Sequence, residues 1–467
     1  MPVTLDPEIV EAQIAYGTHL AAVEPGGVEV IPLEERHGNA LQLFWTWSSP
    51  NMEFATIAVG LLGVLYWGLT FWQTVLAIVI GTGLGAISQG VLSTWGPESG
   101  LCQMVLSRTG FGFLGNILPA GLNALTAGIG WFAVNSISGA LALHALWSSL
   151  PKTIALLIVV LAQLAIAFFG YNLVHAFERW VFPILTVILV VSCIIVLWKS
   201  HPGLPAFKKG APPTIGGFLL MLGASFGYAA GWNPYASDYT RYLEPKTDRV
   251  RVAVWAALGI FVSCVLLEVA GAAVVTAGGS QVDPSSFTHL LPTVIAKLAL
   301  LAICLGAVAA NVLNIYSGAM SFMSIGIKLP TRAARASVAV VLALIGLVVA
   351  WKGLKNAGQN YENFLLLIAY WIAPWLAVVF VDRWLRRGQD VATVAQDSRL
   401  QNWAGPIAML AGMVLSIWLF SNQTKYVGVI PKHHPAVGDI TFEVGFAISA
   451  VVYYVLYSVL KPRPLTA

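Results

Sequence analysis

Long apolar stretches separated by short polar loops run along this chain from about residue 43 to residue 460. A helix needs about 20 apolar residues to cross a bilayer. Windows of that length fall near 43–66, 70–94, 117–145, 153–171, 177–198, 216–240, 251–277, 298–325, 334–351, 362–382, 403–421 and 440–460. They predict twelve membrane-spanning helices between an N-terminal tail, 1–42, and a C-terminal tail, 461–467. The stretch from Ser285 to Lys297 is too long for a plain loop and predicts a short helix before span eight. Two spans are interrupted by Pro. One reads Phe44-Trp45-Thr46-Trp47-Ser48-Ser49-Pro50-Asn51, the other Gly227-Tyr228-Ala229-Ala230-Gly231-Trp232-Asn233-Pro234-Tyr235. Pro removes a backbone donor and clashes with the preceding turn, so helical bonding should break at Pro50 and at Pro234. Unpaired backbone at membrane depth is tolerated only where it faces protein or a water-filled cavity.

Composition agrees with a polytopic membrane protein: of 467 residues, 58% are hydrophobic and 10% charged, against about 25% charged in a soluble domain. The net charge of +4, with no long basic tract, argues against nucleic-acid binding. Cys102, Cys193, Cys264 and Cys304 are scattered without metal-ligand spacing and read as small core residues. His144, His175, His289, His433 and His434 form no metal-ligand pattern with nearby acids. Gly81-Thr82-Gly83-Leu84-Gly85 lies in a membrane span without a βαβ context, so close helix packing is preferred to a dinucleotide loop.

Loop charges orient the chain. With the N-terminus inside, cytoplasmic segments carry Arg36, Arg108, Arg179, Arg241, Lys246, Arg249, Arg251, Lys328, Arg332, Arg335, Arg383, Arg386, Arg387, Arg399, Lys461 and Arg463. External segments carry Lys152, Lys199, Lys208, Lys209, Lys352, Lys355, Lys425 and Lys432. That is 16 against 8, with every Arg on one side, and it places both termini in the cytoplasm of a cell-membrane protein. Spans one to five (43–199) and six to ten (216–382) would then be related by inversion, with spans eleven and twelve (403–460) added. The broken spans one and six would lie antiparallel at the midplane, where secondary transporters bind their solutes.

Other polar and aromatic residues gather at that depth. Trp131 and Asn135 of span three, four apart, share a helix face, as do Asn311 and Asn314 of span eight, three apart. Span ten offers Tyr370-Trp371-Ile372-Ala373-Pro374, a further Pro-containing interruption. A buried Asn amide needs partners, and its donor–acceptor pair matches the edge of an amide, ureide or nucleobase. A Trp face stacks on a planar ring, at roughly 1–3 kcal/mol by analogy with nucleic-acid sites. Taken singly, these Trp and Asn residues serve equally well as packing and as ties between helices. Their coincidence beside two helix breaks is what points to a site.

The chain resembles the nucleobase–cation symporters, most closely the purine–cytosine permease branch. The resemblance rests on Trp47-Ser48-Ser49-Pro50-Asn51-Met52, on Gly100-Leu101-Cys102-Gln103-Met104-Val105-Leu106-Ser107-Arg108-Thr109-Gly110-Phe111-Gly112, and on Gly130-Trp131 with Asn135-Ser136. It rests also on Trp232 followed by Ala236-Ser237-Asp238-Tyr239-Thr240-Arg241-Tyr242-Leu243, and on Ala310-Asn311 with Asn314-Ile315-Tyr316-Ser317. The likeness covers roughly residues 36–385. It implies an all-α, LeuT-like fold with a five-plus-five inverted repeat and two additional C-terminal helices. It implies Trp131 and Trp232 stacked on the carried ring, Asn135 and Asn314 bonded to its edge, and Ser49 approaching from the unwound part of span one. Asn311 and Asn233 join the expected substrate-binding set.

Sodium-coupled relatives are expected to hold the ion between carbonyls of span one and hydroxyls of span eight. Here that stretch reads Leu305-Gly306-Ala307-Val308-Ala309-Ala310, with no Ser or Thr, which argues against sodium and for a proton. Two acids are candidate proton carriers. Glu53 follows the span-one break, and Glu268 lies within span seven; intramembrane acids are rare and default to function. Glu53 is equally placed to bind a substrate amino group, and Glu268 to bridge helices.

The expected function is proton-coupled import of a nucleobase or similar planar nitrogen heterocycle by alternating access, with no cofactor or metal. Allantoin- or hydantoin-like ureides and vitamin heterocycles are alternatives on the same fold, and sodium coupling an alternative mechanism. An integral-membrane enzyme is disfavoured because no nucleophile–base pair or metal cluster is visible in the spans, and a channel because no repeated filter is present. Beyond the substrate, the coupling proton and the lipid bilayer, no partner is implied, and the oligomeric state is left open.

Overall fold

The computed structural model describes residues 27–168, 171–203, 214–327 and 332–460. Residues 1–26, Lys208, Lys209, Lys328, Lys461 and Arg463 lie outside the described residues, as do the side chains of His175, Arg179, Arg332 and Arg335.

Twelve apolar segments fold as helices. Span 1 is split into Gln42–Ser48 and Phe54–Leu65, joined by a 3₁₀ turn, Ser49–Asn51. Span 2 is Phe71–Ser93, opened by a capping box in which Thr70 and Gln73 satisfy each other's backbone N–H. Span 3 runs Ile117–Leu125, then a π-helical stretch Thr126–Trp131, then Phe132–Leu146. Spans 4 and 5 are Lys152–Phe168 and Tyr171–Lys199. Span 6 is Thr214–Ala230, a 3₁₀ turn Asn233–Tyr235, and Ala236–Thr240. Span 7, Arg249–Thr276, starts at an Asp248 cap whose carboxylate accepts from the Arg251 N–H. Spans 8 to 12 are Thr293–Met323, Arg332–Gly353, Ala357–Leu385, Ala404–Phe420 and Thr441–Leu460. Among the described residues, seven helical stretches can cross a membrane by length and composition, the one over Ser337–Leu385 holding spans 9 and 10, and four shorter apolar helices complete the set.

The helices sort into two packed groups. Spans 1, 2, 6 and 7 pack on one another; spans 3, 4, 8 and 9 form the second group. Span 5 lies against spans 7 and 8, and spans 10, 11 and 12 pack together beside span 6. Within the first group backbones approach closely through small residues, as membrane helices do. A β-carbon at Gly60 would stand 1.7 Å from the Glu268 carbonyl oxygen. Gly81 and Gly85 abut Leu222 and Ala229 of span 6 in the same way, so those glycines serve packing.

Two details differ from the sequence reading. Span 10 is one continuous helix through Pro374, whose ring is pressed against Gly445 of span 12; flanking helical bonds and that packing carry the helix across the single missing donor. Span 8 begins at Thr293, so Lys297 belongs to the helix and only Pro284–Thr288 forms the short helix before it. Three cysteines are buried and Cys304 is half-buried.

Candidate functional site

The two broken spans meet through their indoles and amides. At the span-1 break Asn51 is fully buried and uses both ends of its amide. Its Nδ2 donates to the Trp47 carbonyl at 2.7 Å and to Ser263 Oγ at 3.2 Å, while its Oδ1 accepts from the Trp232 indole N–H at 2.9 Å. Asn51 thus ties the span-1 break to the span-6 break and fixes Trp232. Trp131, at the end of the π-helical stretch, reaches the other flank of the span-6 break. A β-carbon at Gly231 would be 3.0 Å from its ring. Both indoles are under a tenth exposed, and Trp131 packs against the residue that precedes Trp232 in the chain. A π-helical turn inserts one residue and re-aims the side chains beyond it, and such turns concentrate at functional sites.

The asparagines form one network. Asn135 Nδ2 and Asn314 Nδ2 both donate to Asn311 Oδ1, at 3.1 and 3.2 Å. Asn311 Nδ2 donates to the Phe132 carbonyl at 2.8 Å and to Ser136 Oγ at 3.1 Å. Both ends of the Asn311 amide are thereby bonded inside the protein. Tyr235 donates its hydroxyl to Asn314 Oδ1 at 3.1 Å, whereas Asn135 Oδ1 is buried without a partner among the described residues. Asn233 turns to span 2, donating to Ser88 Oγ at 2.6 Å. Ser49 Oγ is buried and unpartnered at the span-1 break.

The two acids occupy different places. Glu53 stands in extended backbone at the head of the half-helix Phe54–Leu65, 1% exposed, with Oε2 unpartnered. It faces span 8: a β-carbon at Gly306 would lie 2.1 Å from the Met52 carbonyl oxygen and 3.0 Å from Glu53 Cβ. Glu268 is enclosed within the first helix group, its Oε2 accepting from Thr82 Oγ1 of span 2 at 2.9 Å. Glu53 therefore sits where the two helix groups meet, and Glu268 does not.

Aromatic side chains cover the site. Phe364 of span 10 and Tyr228 of span 6 meet Trp131 edge to face, at centroid separations of 5.1 and 5.4 Å. Tyr228 is held by a 2.5 Å hydrogen bond with Thr56, which also donates to the Asn51 carbonyl. Above Phe364 a cavity of about 420 Å³ opens among Phe54, Val134, Lys352, Asn360 and Tyr361, on the side of the Lys352–Asn360 connection. The roles of Asn51, Tyr228, Tyr235 and Phe364 went unseen in the sequence. Asn51 alone had a signal, its place beside Pro50.

The fold and the paired breaks define a multi-pass membrane protein of the inverted-repeat class. A family model described as "Permease for cytosine/purines, uracil, thiamine, allantoin" matches residues 30–445, and the chain belongs to that family. A purine-cytosine permease of Emericella nidulans is 30% identical over 462 residues, covering 93% of this chain and 88% of its own. A purine-cytosine permease of Saccharomyces cerevisiae is 28% identical over 482 residues, covering 95% and 86%. Among solved structures, Mhp1, a nucleobase-cation-symport-1 family transporter in a closed conformation with bromovinylhydantoin bound, gives a TM-score of 0.73 at 18% identity, covering 95% of this chain and 97% of its own. A Na⁺-coupled sialic acid symporter gives 0.66 at 10% identity, covering 98% and 97%. These structural likenesses establish the five-plus-five inverted-repeat fold with two additional C-terminal helices.

Proposed function

We propose that this permease imports a nucleobase or a closely similar planar nitrogen heterocycle, driven by protons. The observation that carries the reading is the approach of two buried indoles to the span-6 break, Trp131 against Gly231 and Trp232 next to it in the chain, with Tyr235 linking the Trp232 ring to the Asn314 amide. Flat apolar faces suit an aromatic ring, and amides suit its hydrogen-bonding edge. The names of the relatives, purine-cytosine permeases, point to the same chemistry.

Transport follows from the two helix groups. The first, holding both breaks, rocks against the second, holding the asparagine network. The ring enters from the cavity above Phe364, passes the Phe364–Trp131 contact, and binds between the groups. Release to the cytoplasm, where both termini lie, needs the opposite tilt. Glu53 is the coupling acid this arrangement favours, because it stands at the junction of the groups, beside Ser49. Span 8 offers the Gly306 backbone rather than a hydroxyl against the Met52 carbonyl, which supports protons over sodium.

The test is uptake of labelled cytosine and adenine into proteoliposomes with and without an inward proton gradient. The account expects accumulation above equilibrium only with the gradient. Accumulation that follows sodium, or no uptake of either ring, rejects it.

A further inference from the structure

Behind the asparagine network lies a chain of side chains outside the substrate contacts, each linked to the next and anchored on backbone at both ends. Gln163 of span 4 is fully buried; its Nε2 donates to the Ala307 carbonyl of span 8 at 3.3 Å, and its Oε1 accepts from Ser136 Oγ at 3.0 Å. Ser136 Oγ in turn accepts from Asn311 Nδ2 at 3.1 Å, and the same Nδ2 donates to the Phe132 carbonyl at 2.8 Å.

A carbonyl oxygen only accepts, and this decides every member in turn. The Ala307 carbonyl turns the nitrogen of Gln163 towards itself and the oxygen towards Ser136. The Ser136 hydroxyl gives its single hydrogen to that oxygen, so towards Asn311 it can only accept. The Phe132 carbonyl imposes the same orientation on Asn311 independently. The oxygen of Asn311 is then left facing Asn135 and Asn314, and both must turn their nitrogens to it. Their oxygens point the other way. Asn314 Oδ1 already accepts from the Tyr235 hydroxyl, whereas Asn135 Oδ1, on a residue 1% exposed, has no partner among the described residues.

We infer that Gln163, Ser136 and Asn311 are positioning residues that set the hydrogen-bond polarity of the substrate site: they hold Asn135 with its oxygen presented, so the site selects heterocycles that offer an N–H donor, such as an exocyclic amino group, over the same ring without it. The inference rests on the planar-heterocycle reading above and adds the substrate's required donor. An Asn amide that presents both oxygen and nitrogen matches an amino group beside a ring nitrogen, the pairing used to read adenine. A ring with no donor leaves the Asn135 oxygen buried and unpaired.

The experiment compares two ligand pairs that differ by one amino group, cytosine with pyrimidin-2-one and adenine with purine. Each ring competes against labelled substrate for binding to the purified full-length protein. Wild type should prefer the aminated member of each pair by about tenfold or more, the scale of one hydrogen bond to a buried acceptor. Asn311→Leu removes the oxygen that both nitrogens face and frees Asn135 to turn, so the preference should fall to within about threefold. Gln163→Leu and Ser136→Ala each loosen one restraint on Asn311 while the Phe132 carbonyl keeps the other, and should lower the preference by less, while Ser136→Thr, which keeps the hydroxyl, should retain it. Monodisperse elution and thermal unfolding identify which variants are folded. A purely structural role lowers binding of both members together and leaves their ratio at the wild-type value. An unchanged ratio in every folded variant of Asn311→Leu, Gln163→Leu and Ser136→Ala overturns the inference alone; a wild-type protein that binds none of the four rings overturns the substrate reading and the inference with it.

Discussion

Asn51→Ala removes the joint between the two broken helices. The side chain makes three hydrogen bonds, and their loss is unequal. Ser263 keeps its own 2.6 Å bond to the Gly259 carbonyl, so it is little affected. The Trp232 indole N–H, whose only described acceptor is Asn51 Oδ1 at 2.9 Å, is stranded in a buried setting. A stranded buried donor costs about 1–3 kcal/mol. If the indole re-orients to escape that cost, the stacking wall is lost instead. Either outcome weakens ring binding, and about 1.4 kcal/mol is already tenfold. The apparent KM for the transported ring should therefore rise about tenfold or more. Ser263→Ala is the control: it removes one 3.2 Å acceptor from an amide that keeps its other bonds, and should raise KM by less than about threefold. Concentration-dependent uptake in proteoliposomes measures both. An Asn51→Ala KM within twofold of wild type, or a Ser263→Ala effect as large as that of Asn51→Ala, refutes the joint.

Gly306→Ala places a β-carbon 2.1 Å from the Met52 carbonyl at the seam between the helix groups. Overpacking of this kind costs about 1–3 kcal/mol, so the variant should fold but populate the closed state less and transport at under a tenth of the wild-type rate; wild-type uptake would show that this seam does not close during transport. At the C-terminal end of span 10 the buried pair of Asp382 and Arg386, 2.8 Å apart, contrasts with the exposed contact between Arg383 and Glu98. Asp382→Asn keeps an oxygen for Arg386 and for the Tyr453 hydroxyl but leaves the buried guanidinium charge uncompensated, and should cost about 3–5 kcal/mol. Glu98→Gln should cost under about 1 kcal/mol. Thermal unfolding in detergent separates them, and equal shifts would contradict the assignment of the buried pair.

Much of this architecture was legible in the chain because membrane physics leaves strong marks. Apolar windows gave the spans to within a few residues, and Pro50 and Pro234 marked the two breaks. Trp131, Asn135 and Asn314 stood out because Trp and Asn at membrane depth need a reason to be there. The rest depends on how helices meet. The π-helical stretch Thr126–Trp131 has no Pro to announce it, yet it sets where Trp131 points. Asn311 and Asn314 read alike in the sequence; in the fold the Phe132 carbonyl engages the Asn311 nitrogen, while the Asn314 oxygen meets the Tyr235 hydroxyl. Pro374 resembles Pro234, but Gly445 packs on it and the helix carries through. Glu53 and Glu268 are both buried acids in apolar runs, and only packing shows that one borders span 8 while the other is enclosed with Thr82.

The central claim is that ring and proton are carried together, with Glu53 at the seam of the two helix groups. Proteoliposomes loaded with a pH-sensitive dye, and given cytosine or adenine outside with no imposed gradient, test it directly. The account predicts substrate-evoked acidification of the lumen by the wild-type protein. Glu53→Gln should still bind the ring but evoke no acidification. Ring uptake by wild type without any proton entry, or Glu53→Gln acidifying the lumen as wild type does, would contradict it.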